Sequence, residues 1–183
     1  VERGATTGVQ GADTDAADID LIESLSTTSA GGVDNITANG GNDIILGGRH
    51  GDTINAGDGS NLVIGDSGRI TAANTGVAQF ADVPMTFGLI ETIAFGDGGS
   101  DSITTGTGND FVLGGDLDDA IIVSGGNNIV LGDDGQIDYV LVERGATTGV
   151  QGADTDAADI DLIESLSTTS AGGVDNITAN GGN

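Results

Sequence analysis

The chain has 183 residues, with 29 acids against four arginines and no lysine, for a formal charge of −25. That balance excludes an electrostatic nucleic-acid binder, which needs a basic face for phosphates; it also repels anionic membranes and nominates cations as partners. Aromatics at 3% leave a core of large rings out of reach, while 37% apolar content is too high for a disordered acidic tail.

Residues 1–42 and 142–183 are one identical string, so the chain repeats with a period of 141. Residues 1–30 read as an insert. Residues 31–69 form a first block of nonapeptides, which from Asp34 run "DNITANGGN", "DIILGGRHG", "DTINAGDGS", "NLVIGDSGR". An acid or its amide leads each line, an apolar residue follows two places later (Ile36, Ile45, Ile54, Val63), and glycines gather in the second half. Residues 70–96 form a second insert, closing with the alternating "LIETIAF". Residues 97–136 hold a second block, "DSITTGTGN", "DFVLGGDLD", "DAIIVSGGN", "NIVLGDDGQ". Residues 137–171 are an insert whose 142–171 stretch copies 1–30; it opens with the alternating "IDYVLVE", and 172–183 start another block. Each insert reads as a strand, a loop and a returning strand. Val1 falls inside an insert and Asn183 inside a nonapeptide, so the expectation is a window on a longer tandem array; a deliberately duplicated end is the alternative.

No cysteine means no disulfide and no thiolate metal site, and no apolar run approaches the ~20 residues that cross a bilayer. There is no signal peptide or basic leader, so targeting information is expected outside this stretch.

A three-residue strand rises about 10 Å, too short to stand alone, so neighbours must stack it into a sheet. A period of nine leaves six residues for each turn. Two nonapeptides then make one coil, coils stack at about 4.8 Å, and alternate turns lie on opposite edges. This puts Asp34 above Asp52 and Asp43 above Asn61. Stacked carboxylates repel unless a divalent cation lies between them, and oxygen-only donors favour calcium over zinc, copper or magnesium. On odd lines the residues flanking the inward position are mostly polar; on even lines they are apolar (Ile44 and Leu46, Leu62 and Ile64, Phe111 and Leu113, Ile129 and Leu131). One sheet should therefore carry a greasy outer face, to be covered by insert hairpins or by self-association through Ile44, Leu62, Phe111 and Ile129.

The nonapeptides resemble the calcium-binding RTX (haemolysin-type) repeats, GGxGxDxUx. "TGTGNDFVL" at 105–113 sets Gly106, Gly108, Asp110 and Val112 on the motif's second glycine, fourth-place glycine, aspartate and apolar position. The matching blocks cover roughly half of the chain. The resemblance implies an all-β fold, a right-handed parallel β-roll (a β-solenoid) with inserted β-hairpins. It implies several Ca2+ ions held by the sixth-place residues Asp34, Asp43, Asp52, Asn61, Asp101, Asp110, Asp119, Asn128 and Asp175, with carbonyls of Gly32, Gly41, Gly59, Gly99, Gly108 and Gly126. Some turns depart: His50 and Leu117 stand where the fourth-place glycine belongs, and Asn61 and Asn128 replace the aspartate, which weakens the sites they touch. By the plainer reading the aspartates only start turns and solvate the surface.

Catalysis is not expected. His50 lies beside Asp52 and near Ser60, but a solvated turn offers no dry cleft for a triad. Arg3, Arg49, Arg69 and Arg144 read as local offsets to acid charge. The expected function is a structural calcium-binding segment of a very large secreted bacterial fibre, adhesin or cell-surface protein, extracellular and rigidified by Ca2+. The alternative is an RTX folding and secretion module of an exported enzyme or toxin, whose self-repulsion opposes collapse until metal arrives. Ligand adhesion by a threonine ladder ranks last, because Thr37, Thr53 and Thr104 are few and interrupted.

Overall fold

The computed structural model describes residues 18–25, 31–73, 79–142, 155–167 and 172–181, so Arg3, Arg144 and most of the loop "RGATTGVQGADTDAAD" lie outside the described residues. The described chain is all-β. Its strands in order are β1 (Leu21–Glu23), β2 (Asn35–Thr37), β3 (Ile44–Leu46), β4 (Thr53–Gly57), β5 (Leu62–Ile64), β6 (Gly68–Thr71), β7 (Leu89–Thr92), β8 (Ser102–Thr105), β9 (Phe111–Gly115), β10 (Ala120–Val123), β11 (Ile129–Asp133), β12 (Gly135–Asp138), β13 (Leu162–Ser165) and β14 (Asn176–Ala179).

They form three sheets, and the nonapeptide strands alternate between two of them. β2, β4, β8, β10 and β14 lie side by side in one sheet, and β3, β5, β9 and β11 in another. The pairings within both are parallel: Ile36 against Ile54, Ile54 against Ile103, Ile103 against Ile121 and Ile121 against Ile177 in the first, and Ile45 against Val63, Val63 against Val112 and Val112 against Val130 in the second. Residues 18 apart in sequence thus stack directly, except where an insert lengthens the path. The apolar residues two places after the leaders build a narrow aliphatic core of Ile45, Ile54, Val63, Ile103, Val112 and Ile121 with Ala56 and Val123; Ile36 and Val130 pack against it partly buried, and Ile177 is exposed. Each fully buried side chain of this kind contributes about 1.5–3 kcal/mol.

The third sheet is built by the inserts, in the order β1, β6, β7, β12, β13. β1 pairs antiparallel with β6 and β7 with β12. β6 and β7 are neighbours, as are β12 and β13, giving the two strand–loop–strand hairpins expected of the inserts. The chain divides into two compact units. One comprises Val1–Glu23, Arg69–Glu91 and Gln136–Glu164; the other comprises Ser24–Gly68, Thr92–Gly135 and Ser165–Asn183. The first, the insert unit, has its own core of Ile70, Met85, Leu89, Ile90 and Ile137, with Phe87 between Phe80 (ring centroids 4.5 Å apart) and Tyr139 (6.2 Å).

On the second nonapeptide sheet Leu62, Ile64 and Leu113 are fully buried, while Ile44, Phe111 and Ile129 are half buried. Arg49 pairs with Asp97 at 3.1 Å, and Arg69 pairs with Glu91 and, at 3.6 Å, with Glu23.

Candidate metal centre

The turn-leading residues form two columns, one on each edge of the nonapeptide sheets. The first holds Asp34, Asp52, Asp101, Asp119 and Asp175. The amide N–H of Asp34 donates to Asp52 Oδ1 (2.7 Å), that of Asp52 to Asp101 Oδ1 (2.7 Å), that of Asp101 to Asp119 Oδ1 (2.8 Å) and that of Asp119 to Asp175 Oδ1 (3.0 Å). One oxygen of each carboxylate from Asp52 to Asp175 therefore ties its coil to the one before it. The other oxygen, Oδ2 of Asp52, Asp101 and Asp119, is buried with no hydrogen-bond partner among the described residues, and these side chains belong to residues only 2–3% exposed. A buried acceptor without a donor is costly, and a buried charge more so.

Glycines make room for these oxygens. A methyl group placed on Gly65 would stand 2.1 Å from Asp101 Oδ2 and 2.4 Å from the Gly114 carbonyl oxygen; one on Gly114 would stand 2.3 Å from Asp119 Oδ2 and 2.0 Å from the Gly132 carbonyl. Side-chain and carbonyl oxygens thus converge on one lane, open only because no Cβ fills it. Burial, more than the neighbouring acids, pushes Asp101 and Asp119 up to about 8, and it raises Asp52 and Asp175 as well.

The second column runs Asp43, Asn61, Asp110, Asn128, with the same tie: Asp43 N–H to Asn61 Oδ1 (3.2 Å), Asn61 N–H to Asp110 Oδ1 (3.0 Å) and Asp110 N–H to Asn128 Oδ1 (2.9 Å). Oδ2 of Asp43 and of Asp110 is again buried without a partner among the described residues. The glycines expected to offer carbonyls stand beside this column. Gly41, Gly59, Gly108 and Gly126 all take positive φ, and a methyl on Gly59 would lie 1.7 Å from the Gly41 carbonyl oxygen. On the first edge, Gly32 lies by Asp34 and Gly99 packs against the His50–Gly51 backbone. His50 and Leu117, in the fourth place, adopt the left-handed φ of 72° and 74° that a glycine would take freely.

No family model, no curated protein and no solved structure matches this chain.

Among the described residues no group of three or more His, Cys, Asp or Glu side chains converges in a way that could hold a metal ion. With no such group, carbonyl oxygens would have to complete any coordination shell in the lane. The donor set is nonetheless wholly hard oxygen and includes buried carboxylate oxygens without a donor, which fits calcium and not a nitrogen- or sulfur-seeking metal.

Asp66 is a residue that sequence reasoning missed. Its Oδ1 accepts the Gly99 N–H (3.0 Å) and its Oδ2 the Asp116 N–H (2.6 Å), pinning the return of the insert to the turn where the insert departs. Burial pushes it up to about 7. The signal was available: Asp133 stands 67 residues on, in the same place after its glycine, and its Oδ1 lies by Gly172.

Proposed function

We propose that this chain is a structural calcium-binding repeat segment of a very large secreted bacterial fibre, adhesin or cell-surface protein, its nonapeptides wound as a right-handed parallel β-roll. The observation carrying this reading is the column of aspartates whose Oδ1 ties adjacent coils while Oδ2 stays buried and unpartnered beside glycine carbonyls. Asp52, Asp101 and Asp119, with carbonyls of the glycine lane, are the groups that would hold the ion. Bound calcium would supply the countercharge these stacked carboxylates lack. Half-buried Ile44, Phe111 and Ile129 are where a neighbouring repeat or chain would pack. The formal charge of −25 also favours the second reading, an export module that folds on meeting calcium.

The test is far-ultraviolet circular dichroism during a calcium titration, with chelator and magnesium controls and light scattering on the same samples. A coil-to-β switch with calcium alone supports the metal-built stack, and growth in particle size favours the fibre over the export module. A full β signal in chelator would remove calcium from the reading.

A further inference from the structure

We infer that the two edges of the nonapeptide stack are built for different occupancy: cations belong to the all-aspartate edge, and on the other edge the Asn61 side-chain amide itself occupies the cation's place. This rests on the calcium reading above and specifies where within it the metal goes.

Asn61 is fully buried, and its Nδ2 donates to three acceptors: the Gly57 carbonyl (3.3 Å), the Gly59 carbonyl (3.0 Å) and Asp110 Oδ1 (3.1 Å). Two turn carbonyls and a carboxylate of the next coil are the oxygens a calcium ion would gather. Here an NH2 group gathers them, carrying positive hydrogens toward oxygen without a full charge. The amide's orientation is fixed from both ends, because Oδ1 faces the Asp43 N–H while Nδ2 faces only acceptors. Asn128 repeats the device: its Nδ2 donates to the Ser124 carbonyl (3.0 Å), four residues back, as Asn61 does to Gly57.

The alternation matters beyond one turn. In the order Asp43, Asn61, Asp110, Asn128 every aspartate has an amide between it and the next, so no two carboxylates are stacked neighbours. On the opposite edge Asp34, Asp52, Asp101, Asp119 and Asp175 follow one another without interruption, and among the described residues no donor reaches Oδ2 of Asp52, Asp101 or Asp119. Oδ2 of Asp43 and of Asp110 is likewise without a donor among the described residues, so what separates the edges is the spacing of charge: carboxylates kept apart by an amide on one, an uninterrupted run of them on the other.

The test counts bound calcium per chain by equilibrium dialysis and measures the melting temperature in chelator and in calcium, for the full chain and for Asn61→Asp, Asn128→Asp and Asp101→Asn. Asn61→Asp is expected to bind one more calcium than the parent, to melt lower in chelator, and to recover in calcium. Asp101→Asn is expected to bind at least one fewer and to lose part of the calcium-induced rise in melting temperature. Should Asn61→Asp fail to fold, Asn128→Asp reads the same question at a half-buried position, with the same gain of one ion expected. If the parent chain binds calcium but neither asparagine variant binds more, the stand-in role of the amide is overturned while the calcium reading survives. A parent chain that binds none overturns both.

Discussion

The nonapeptide unit and the insert unit solve the same problem by different means. The inserts close a core in the ordinary way, with Phe80, Phe87, Tyr139 and Met85 filling volume and the Arg69–Glu91 pair on the sheet they share. The nonapeptides have one or two inward aliphatic residues per strand and no aromatic ring in their core cluster, so their interior is thin. What they add is a polar column on each edge, in which every sixth-place side chain after the first, Asp34 or Asp43, caps a backbone N–H of the adjacent coil. A repeat too short to hide its polar turns has to satisfy them by stacking, and an aspartate that caps with one oxygen leaves a second to be neutralised. Dependence on an outside cation is therefore a property expected of one unit and not of the other.

The sharpest way to break that contrast is to damage each core separately. Tyr139 is the sole tyrosine and there is no tryptophan, so intrinsic fluorescence reports the insert unit while far-ultraviolet dichroism is weighted to the stacked strands. Phe87→Ala is expected to cost about 3–5 kcal/mol and to lower the Tyr139 transition. Ile103→Ala, in the central strand β8 and fully buried, is expected to cost about 2–5 kcal/mol and to raise the calcium concentration at the dichroism midpoint. If both signals move together in both variants, the two units unfold as one cooperative block and the contrast in their needs disappears.

Much of this was legible in the sequence because a period of nine is a strong constraint. Once Asp34 is placed over Asp52, the pairing of Asn35 with Thr53 and of Ile44 with Leu62 follows, as does the alternation of lines between two sheets. The hairpin character of the inserts was readable from "LIETIAF" and "IDYVLVE", but the strand bounds were not: β7 keeps only Leu89–Thr92 of the first, and β12 begins two residues ahead of the second and ends at Asp138, after which the chain turns at Leu141–Val142. Illegible were features set by side-chain direction. Nothing in "GDGSN" says that the Asn61 amide turns back to the carbonyls of Gly57 and Gly59, and nothing in "IGDSG" says that Asp66 clamps Gly99. Likewise the missing glycine at His50 and Leu117 marked the sites those turns touch as weaker but did not say how the backbone complies; it keeps the left-handed φ and accepts the strain. Periodicity specifies registers; it does not specify how the odd member of a series complies.

The buried carboxylates sharpen the comparison through pH. Asp101 and Asp119 are held up to about 8 and Asp66 up to about 7, against an ordinary 3.8, so within that window the folded state binds more protons than the unfolded chain. Stability without metal is then greatest at the acid end and is lost as pH rises from about 4 toward about 8, the reverse of common acid denaturation. In chelator the dichroism melting temperature should fall steadily between pH 5 and 8. With calcium the trend should flatten or reverse, since protons and metal compete for the same oxygens. A chelated protein that melts highest at pH 8 would mean that these oxygens are solvated and need no countercharge.

A smaller effect tests the glycine lane. Gly114→Ala would place a methyl 2.0 Å from the Gly132 carbonyl oxygen and 2.3 Å from Asp119 Oδ2, so backbone must move at a position whose own φ is not left-handed. The expected cost is about 1–3 kcal/mol with a matching loss of calcium affinity. Gly125→Ala, where the nearest atom is the Thr107 methyl at 3.9 Å, is the control expected to leave calcium affinity unchanged.

The smallest expected change is a gain. Leu117 holds φ 74° while 45% exposed, so its side chain contributes little burial against the left-handed backbone it imposes on an L-residue. That backbone costs roughly 1–2 kcal/mol, and a glycine there gives back about 0.5–1 kcal/mol through its greater freedom in the unfolded chain. Leu117→Gly should therefore stabilise the nonapeptide unit by about 0.5–1 kcal/mol, read as a higher dichroism midpoint in denaturant at fixed calcium. Leu117→Ala, which keeps the Cβ, should not. Equal stabilisation by both would place the cost in the leucine's exposed surface and not in its backbone, and the fourth place of the turn would then owe its glycines to close packing alone, as at Gly173 against the Leu117 carbonyl.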